Sequence, residues 1–214
     1  MPILVTDFDG TISRRDFFDL VLERHPTAEG HDAWRRYLEG EITHAEGIGG
    51  VFASLRTDDA GADALVEALD PAPGTAAAML ALQDAGWEIV IASAGCRWYI
   101  ERLLQKLGVT ARVLACRGSF APDTGLVLAP DPSDRFFDPR TLIDKTAVVR
   151  DALARDAVVA YAGDSLTDRA GALLVPETRR FARGWLARRF AEDGIPHAVF
   201  AAWPEIAATL LAKR

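Results

Sequence analysis

The sequence predicts an α/β protein, with a Rossmann-like parallel-sheet core and an inserted helical block. Three observations support this fold class. Residues 2–6 form a short apolar run that ends in a cluster of acidic and turn-forming residues. Apolar residues then recur at helical spacing, with no segment typical of a strand, up to about residue 70. From residue 75 onward, strand-like and helix-like segments alternate, which is typical of a parallel sheet covered on both faces.

Each element follows from a local pattern. Residues 2–6 (Pro-Ile-Leu-Val-Thr) predict a buried strand, because the run is apolar and closes at a turn. Helical periodicity extends over 13–70, and the Pro-Ala-Pro-Gly segment at 71–74 ends it. The expected later elements are a helix at 75–85, a strand at 87–92, a helix at 96–107, a strand at 111–115, a β-hairpin over 117–129, a helix at about 141–154, a strand at 157–162, a helix at 165–173, and a last strand and helix toward the C-terminus.

These elements predict two domains. Residues 1–12 and 73–214 are expected to form the α/β core, and residues 13–72 a helical cap inserted after the first strand. In open α/β sheets, ligands bind at the carboxyl ends of the strands, near the point where the strand order reverses. A cap inserted there lies over the binding edge and can exclude water during a reaction.

Composition narrows the classes of function. The chain has 214 residues, 50% of them hydrophobic and 26% charged, which excludes disordered and coiled-coil classes. The net charge of −7 disfavours nonspecific binding to nucleic acid, which needs clustered cations. No apolar run approaches the roughly 18 residues of a membrane span, and no basic leader precedes the first strand. We therefore expect a cytoplasmic protein with neither a nucleic-acid nor a membrane partner, while its oligomeric state stays open.

The cysteines and histidines are not expected to form disulfides or to bind a metal ion. Cys96 and Cys116 are too few for a disulfide framework, fit a reducing compartment and lack the spacing of a zinc site. The histidines show no paired spacing, so each is expected to be a surface residue or a hydrogen-bonded one rather than a metal ligand. They are His25, His31, His44 and His197.

Aromatic and basic clusters are expected to be structural. Trp34, Tyr37 and Phe52 lie at helical spacing and are assigned to the core of the helical block, and Tyr99 receives no site role. The five arginines between 179 and 189 are assigned to a solvated helix face.

Acidic side chains stand where the first strand ends. Asp7 and Asp9 follow it at positions i and i+2, and Gly10 permits a tight turn. Carboxylates are the ligands that Mg²⁺ prefers, and an aspartate can attack phosphorus as a nucleophile. An Asp-Gly pair is also an ordinary turn element, so this segment alone leaves both interpretations open.

Further polar residues follow the later strands. Ser93 and Gly95 precede a predicted helix, where a hydroxyl and free N–H groups bind an anion or cap the helix. Asp164 follows the strand at 157–162, and Asp168 follows one helical turn later. The two acids either point toward a shared metal ion or form the acidic first turn of a helix. Lys145, near the start of the preceding helix, either neutralises a phosphate or is solvated. Acids, a hydroxyl and a cation at successive strand ends together predict phosphoryl transfer.

These residues resemble the four ordered motifs of the haloacid dehalogenase superfamily, with a cap between the first and the second. The resemblance covers essentially the whole chain. The matching segments are Asp7-Phe8-Asp9-Gly10-Thr11, Ser93, Lys145 and Gly163-Asp164-Ser165-Leu166-Thr167-Asp168.

The resemblance implies a role for each matched acid. Asp7 is the implied nucleophile, which becomes an aspartyl phosphate, and Asp9 the acid and base that protonates the leaving oxygen and later activates water. Mg²⁺ is the implied cofactor, held by Asp7, the backbone carbonyl of Asp9 and Asp164, with Asp168 supporting that shell.

The phosphoryl oxygens are, by the same resemblance, held by three groups at the later strand ends. These groups are the Ser93 hydroxyl, backbone N–H groups near Gly95 and the Lys145 ammonium. Dehalogenases generally lack the second acid of the first motif, and P-type ATPases carry threonine there. Asp9 therefore favours phosphatase or mutase chemistry.

Within the superfamily, the chain is similar to the phosphoserine phosphatase-like group. Residues 41–55 and 181–183 are also similar to the 2-hydroxy-3-keto-5-methylthiopentenyl-1-phosphate phosphatases of methionine salvage. Phosphoserine phosphatases usually carry glutamate where this chain has Asp16, so recognition of phosphoserine is in doubt. The expected partner is a small-molecule phosphate ester, with a phosphoserine phosphatase and a phosphomutase as alternatives.

A non-enzymatic phospho-acceptor is the alternative from another class. Signalling receiver modules also combine an acceptor aspartate, an acidic cluster, a hydroxyl and a lysine. Such modules are typically about half this length and do not carry the acceptor as the first acid of an N-terminal D-x-D-G-T segment. Repeated release of phosphate distinguishes an enzyme from such a module.

Overall fold

A seven-stranded, mostly parallel sheet forms the centre of the computed structural model, which describes residues 1–212. The strand order is β4-β3-β2-β1-β5-β6-β7, and β4 alone is antiparallel to its neighbour. The strands are β1 (Ile3–Thr6), β2 (Glu88–Cys96), β3 (Arg112–Ala121), β4 (Gly125–Ala129), β5 (Val159–Gly163), β6 (Arg180–Ala182) and β7 (Ala198–Val199). The predicted α/β fold class is confirmed.

Strand β1 lies in the middle of the sheet because all four of its side chains are buried. Its last residue, Thr6, is in register with Ile91 of β2 and Ala162 of β5. The segments that follow β1, β2 and β5 therefore leave the sheet at one edge, on either side of the point where the strand order reverses. This register brings the predicted site residues to a common edge.

Ten α-helices surround the sheet in residues 1–212. They are α1 (Phe17–Arg24), α2 (Ala28–Leu38), α3 (His44–Ala53), α4 (Asp59–Glu67), α5 (Thr75–Asp84), α6 (Arg97–Leu107), α7 (Lys145–Arg155), α8 (Arg169–Ala172), α9 (Gly184–Glu192) and α10 (Pro204–Ala212). Two 3₁₀ turns cover Leu166–Asp168 and Glu177–Arg179. Across this part of the chain, every helix is too short to cross a membrane.

Helices α1 to α4 occupy the segment between β1 and α5. One cluster of buried apolar side chains joins these helices to the sheet, with Phe17 and Phe52 on the helical side and Leu4 and Ile91 on the sheet side. The described part of residues 13–72 contains helices and loops and no strand. Its treatment as a separate cap domain stays a prediction.

The start of α3 is fixed by hydrogen bonds of its own and by one to a distant loop. The Thr43 hydroxyl accepts from the backbone N–H of Glu46, and the Glu46 carboxylate accepts from the Thr43 N–H in return. The Ala45 N–H donates to the carbonyl of Arg140, 2.9 Å away, in the loop before α7. These bonds position the first turn of α3 against the core.

The C-terminal region differs from its prediction in having two strands, β6 and β7, each followed by a helix. Arg180 also departs from the solvated face expected of residues 179–189, because it is 8% exposed. Its guanidinium donates to the carbonyls of Ala172, Val175 and Pro196. The expectation was wrong for Arg180, since β6 places its side chain inside the fold, where backbone carbonyls satisfy its donors.

Candidate active site

Three carboxylates meet at the carboxyl edge of the sheet. Asp7 follows β1, Asp164 follows β5, and Asp168 lies in the turn after β5. One oxygen from each lies within 4.8 Å of the others, with Asp7 and Asp168 buried and Asp164 half-buried. The structure thus brings together acids that are up to 161 residues apart in sequence.

Lys145, the first residue of α7, lies between two of these carboxylates. Its Nζ donates to Oδ1 of Asp7 and to Oδ1 of Asp168, at 2.7 Å in both cases. Burial alone lowers the pKa of Lys145, but the charges of Asp168 and Asp7 outweigh it and hold the pKa above its ordinary value. Lys145 is therefore a buried cation, not the solvated lysine of the alternative interpretation.

Asp168 is fully engaged by hydrogen-bond donors. Besides Lys145, it accepts from the Tyr161 hydroxyl, from the Ser165 N–H and hydroxyl, and from the Asp164 N–H. Burial favours its neutral form, yet Lys145 and these donors hold the pKa of Asp168 below its usual range. Asp168 thereby fixes both the turn that carries Asp164 and the Lys145 ammonium.

Asp7 and Asp164 lie close to Asp168 in this cluster of acids. Burial and the Asp168 charge raise the pKa of Asp7 well above its usual range. Burial, Asp168 and Asp16 raise the pKa of Asp164 to about 7. Three crowded carboxylates with one ammonium have the oxygen donors and the excess charge that suit a hard divalent cation.

Gly10 permits the close approach of Asp164 to the loop after β1. Its φ of +71° lies in the left-handed region, and a Cβ atom there would come within 2.4 Å of Asp164 Oδ2. Any side chain at this position would displace the Asp164 carboxylate. The glycine of the first motif is therefore required by both backbone conformation and space.

Asp9 points away from this cluster toward the N-terminus of α6. Its Oδ1 accepts from the Phe17 N–H at 3.0 Å, and its Oδ2 accepts from the Tyr99 hydroxyl at 2.6 Å and from the Ser93 hydroxyl at 3.4 Å. Burial raises the pKa of Asp9. The Asp9 side chain is therefore apart from the three clustered carboxylates, and Ser93 lies beside it.

Gly95 provides the space for this arrangement. A Cβ atom at residue 95 would lie 1.7 Å from the Tyr99 hydroxyl and 3.0 Å from Asp9 Oδ2. The Gly95 N–H donates to the Ser93 hydroxyl at 3.0 Å. Ser93 and Gly95 are thus brought together beside Asp9, as sequence spacing predicts.

Most of these residues line one cavity of about 400 Å³, whereas Asp168 lies behind it. Its core end is lined by Asp7, Asp9, Ser93, Gly95, Lys145 and Asp164. Its other end is lined by side chains of α1, α2 and α3, including Phe18, Trp34, Tyr37 and His44. The cavity therefore joins the predicted catalytic residues to the inserted helices.

Tyr99 is a site residue that sequence analysis missed. It is almost fully buried, stacks on Phe17 with ring centroids 4.2 Å apart, and donates to Asp9. Its pKa is raised well above the usual value, by burial first and then by Asp9, so the phenol keeps its proton. Its position six residues after Ser93, in the first turn of α6, was the available signal.

His44 also departs from its expectation. It lines the cavity, and its Nδ1 is buried without a hydrogen-bond partner in the described part of the chain. Burial, and then the charge of Lys145, lower the pKa of His44 to about 4. The expectation of a surface or hydrogen-bonded histidine was wrong here, because α3 packs its first turn against α2 and the core.

His44 should make the fold sensitive to acid. The unfolded chain takes up this proton near pH 6.5 and the folded chain only near pH 4, so stability falls as the pH drops through this range. Between about pH 7 and about pH 5 the loss from His44 is about 2 kcal/mol. His44→Gln should remove that part of the loss in urea unfolding, whereas His31→Gln, on the exposed surface of α2, should retain it. Equal losses in the two variants would contradict the assignment.

Comparisons with known proteins agree with this geometry. The model of the haloacid dehalogenase-like hydrolase family matches residues 4–173. A 2-hydroxy-3-keto-5-methylthiopentenyl-1-phosphate phosphatase from Brevibacillus brevis is 28% identical over 211 residues, which cover 95% of this chain and 92% of that protein.

Solved structures show the same fold. A substrate-bound phosphoserine phosphatase superposes with a TM-score of 0.68 at 13% identity, over 97% of both chains. A HAD family hydrolase from Salmonella enterica serovar Typhi superposes with a TM-score of 0.70 at 16% identity, over 94% of this chain and 67% of that one. At such identities the structural likeness establishes the fold alone. Because the family model spans most of the sequence, including every motif residue described above, the chain belongs to the haloacid dehalogenase-like hydrolases.

Proposed function

We propose that this chain is a magnesium-dependent phosphatase that hydrolyses a small phosphorylated metabolite through a phosphoryl group on Asp7. The observation that carries the proposal is the buried Asp7 carboxylate, which is held by Lys145 at 2.7 Å, lies beside Asp164 and opens into the cavity. Membership of this hydrolase family and a relative named as a phosphatase support the same reaction.

Asp7 is the proposed nucleophile. One of its carboxylate oxygens forms a bond to phosphorus while the bond between phosphorus and the leaving oxygen breaks. Lys145 anchors Oδ1 of Asp7, which fixes the carboxylate against the strand end. Asp9 gives a proton to the leaving oxygen, so the product leaves as a neutral alcohol.

Asp9 is also the proposed base in the second step. It accepts a proton from water as the water oxygen attacks phosphorus, and the aspartyl phosphate bond breaks to restore Asp7 and release inorganic phosphate. The raised pKa of Asp9 suits a group that must hold a proton and then take one back. Its Oδ1 accepts one hydrogen bond, from the Phe17 N–H, and keeps a lone pair for the transferred proton, while the Tyr99 hydroxyl holds Oδ2.

The remaining residues hold the phosphoryl group and the metal. Ser93, the N–H groups near Gly95 and Lys145 are the proposed donors to phosphoryl oxygens. Asp7, the Asp9 backbone carbonyl and Asp164 would hold Mg²⁺, and Asp168 positions Lys145 and the turn. Bound Mg²⁺ supplies positive charge that offsets the charge of the phosphoryl group.

Residues 13–72 are the proposed cap, and the leaving group is proposed to lie against them. The finer proposal for the substrate is the phosphate ester named for the Brevibacillus brevis relative, or a close analogue. The aromatic side chains of α1 and α2 at this end of the cavity suit a partly apolar leaving group.

Hydrolysis of p-nitrophenyl phosphate tests the proposed function. We expect phosphate release over many turnovers with Mg²⁺, and loss of release in EDTA that added Mg²⁺ restores. Inorganic phosphate released over many turnovers distinguishes a phosphatase from a phospho-acceptor module. Activity that is unchanged in EDTA, or one stable phosphoryl group per chain without release, would contradict the proposal.

Tyr99→Phe should weaken catalysis in a way that depends on the leaving group. The variant keeps the stacking on Phe17 but loses the hydrogen bond that orients Asp9. We expect kcat to fall by roughly tenfold to a hundredfold for hexyl phosphate. It should fall much less for p-nitrophenyl phosphate, whose leaving oxygen needs little proton donation. An equal fall for both esters would indicate a structural role only.

A further inference from the structure

We propose that His44 determines specificity by donating a hydrogen bond from Nε2 to an uncharged oxygen of the leaving group. This rests on the proposed function, because it requires that the phosphoryl group binds at the core end of the cavity and the leaving group at the helical end. The residue lies outside the four motifs, on the first turn of α3.

The cavity has two ends with different chemistry. Acids and Lys145 line the core end, whereas Phe18, Trp34 and Tyr37 form an aromatic wall at the other end. Within that wall, the rings of Phe18 and Trp34 lie 4.1 Å apart between centroids and those of Trp34 and Tyr37 lie 4.9 Å apart. A leaving group seated there meets apolar surface and few polar partners.

His44 adds an imidazole to this wall. Its ring meets those of Tyr37 and Trp34 edge to face, at 5.3 and 6.4 Å between centroids. The hydrogen bonds at the start of α3 fix its backbone, since Thr43 and Glu46 cap the helix and Ala45 donates to Arg140. The imidazole is thus held in place before any ligand binds.

The surroundings of the ring select its protonation state and tautomer. Burial and the Lys145 charge keep the imidazole neutral at physiological pH. A proton on Nδ1 would leave a buried N–H without an acceptor, because that atom has no partner in residues 1–212. The proton therefore belongs on Nε2, which makes His44 a neutral donor toward the cavity and suits a carbonyl or hydroxyl oxygen.

The charges around the cavity disfavour a leaving group with a carboxylate. Among the described residues that line it, Lys145 is the only lysine or arginine, and Asp7 and Asp168 already accept from its Nζ. At the helical end of the cavity an ammonium group would face another donor in His44, because the lining acids Asp9, Asp16 and Asp164 lie at the core end. The cavity thus suits an uncharged, partly apolar alcohol that carries an oxygen acceptor.

A pair of esters isolates this contact. Hexyl phosphate and 2-oxohexyl phosphate share a chain length and differ in the ketone oxygen. In the wild type we expect kcat/KM to be about tenfold higher for 2-oxohexyl phosphate. Phosphoserine, which carries a carboxylate, should be hydrolysed at least about tenfold less efficiently than 2-oxohexyl phosphate. A preference for phosphoserine would overturn the proposal.

Three variants separate the hydrogen bond from other effects. His44→Ala should remove the part of the preference for the keto ester that the hydrogen bond provides, and leave only the part set by leaving-group reactivity. His44→Gln keeps a neutral donor and should retain some of the hydrogen-bond part. His31→Ala changes an exposed histidine of α2 and should leave the preference unchanged. The proposal fails if His44→Ala keeps the wild-type ratio within about twofold.

A nuclear magnetic resonance measurement on the wild type covers the case in which His44→Ala does not fold. The ring nitrogen resonances should show the proton on Nε2 and should shift when 1-hydroxyhexan-2-one is added. A proton on Nδ1, or no shift at saturating alcohol, would overturn the proposal. If the wild type did not hydrolyse p-nitrophenyl phosphate, the proposed function itself would be wrong.

Discussion

Asp7→Asn should lower kcat for p-nitrophenyl phosphate by roughly a thousandfold or more. The amide is a far weaker nucleophile than the carboxylate, and the change also removes one anionic oxygen from the three-carboxylate cluster. A steady-state assay with saturating Mg²⁺ measures the effect. The loss should appear in kcat, because the cavity that binds the ester is unchanged.

The Asp7→Asn variant should remain folded. Burial, and then the charges of Asp168 and Asp164, raise the pKa of Asp7, so removing this charge relieves desolvation and repulsion even though it weakens the contact with Lys145. Urea unfolding should therefore give a free energy close to that of the wild type. Asp123→Asn, in the exposed turn between β3 and β4, is the matched control and should keep full activity. Substantial activity in Asp7→Asn would exclude Asp7 as the nucleophile.

Lys145→Met should reduce both activity and stability. The side chains have similar length, but methionine leaves Asp7 and Asp168 buried without the ammonium that contacts both at 2.7 Å. Breaking a buried ion pair from one side costs about 3–5 kcal/mol of unfolding free energy. We also expect kcat to fall by roughly a hundredfold or more, since the proposed phosphoryl contact and the anchor of Asp7 are lost together.

Two comparisons test the cause of the Lys145→Met effect. Lys106→Met removes an exposed lysine that contacts Glu67 at 2.8 Å, and it should lower stability far less than Lys145→Met, because solvent screens an exposed ion pair. Adding Asp168→Asn to Lys145→Met should recover part of the lost stability, because it removes one of the uncompensated charges. If Lys145→Met unfolds at the same urea concentration as Lys106→Met, the buried pair does not stabilise the fold as described.

The parts of the fold that sequence predicts are those with strong local patterns. The apolar runs at 2–6 and 157–162 have the composition of buried strands, and strands are observed there as β1 (Ile3–Thr6) and β5 (Val159–Gly163). The acids that follow them meet because parallel strands end at one edge. The order of motifs also pointed to the family that the comparisons establish. Short C-terminal strands such as β7, with two residues, have no comparable pattern.

Contacts between distant residues were not predictable in the same way. The Tyr99 hydroxyl reaches Asp9 across 90 positions, and it does so only because Gly95 leaves the space. The burial of His44 depends on how α3 packs against α2, and that of Arg180 on carbonyls from three separate positions. Arginine side chains are mostly exposed, and histidine and tyrosine are intermediate, so residue type alone does not predict that these three side chains are buried.

The most direct measurement is a search for the phosphoryl group during turnover. The reaction with ³²P-labelled aryl phosphate and Mg²⁺ is stopped in acid, and the labelled peptide is identified by mass spectrometry. We expect label on Asp7 while phosphate release continues over many turnovers, and no label in Asp7→Asn. Steady release without label on Asp7, or label on another residue that persists in Asp7→Asn, would contradict the proposed mechanism.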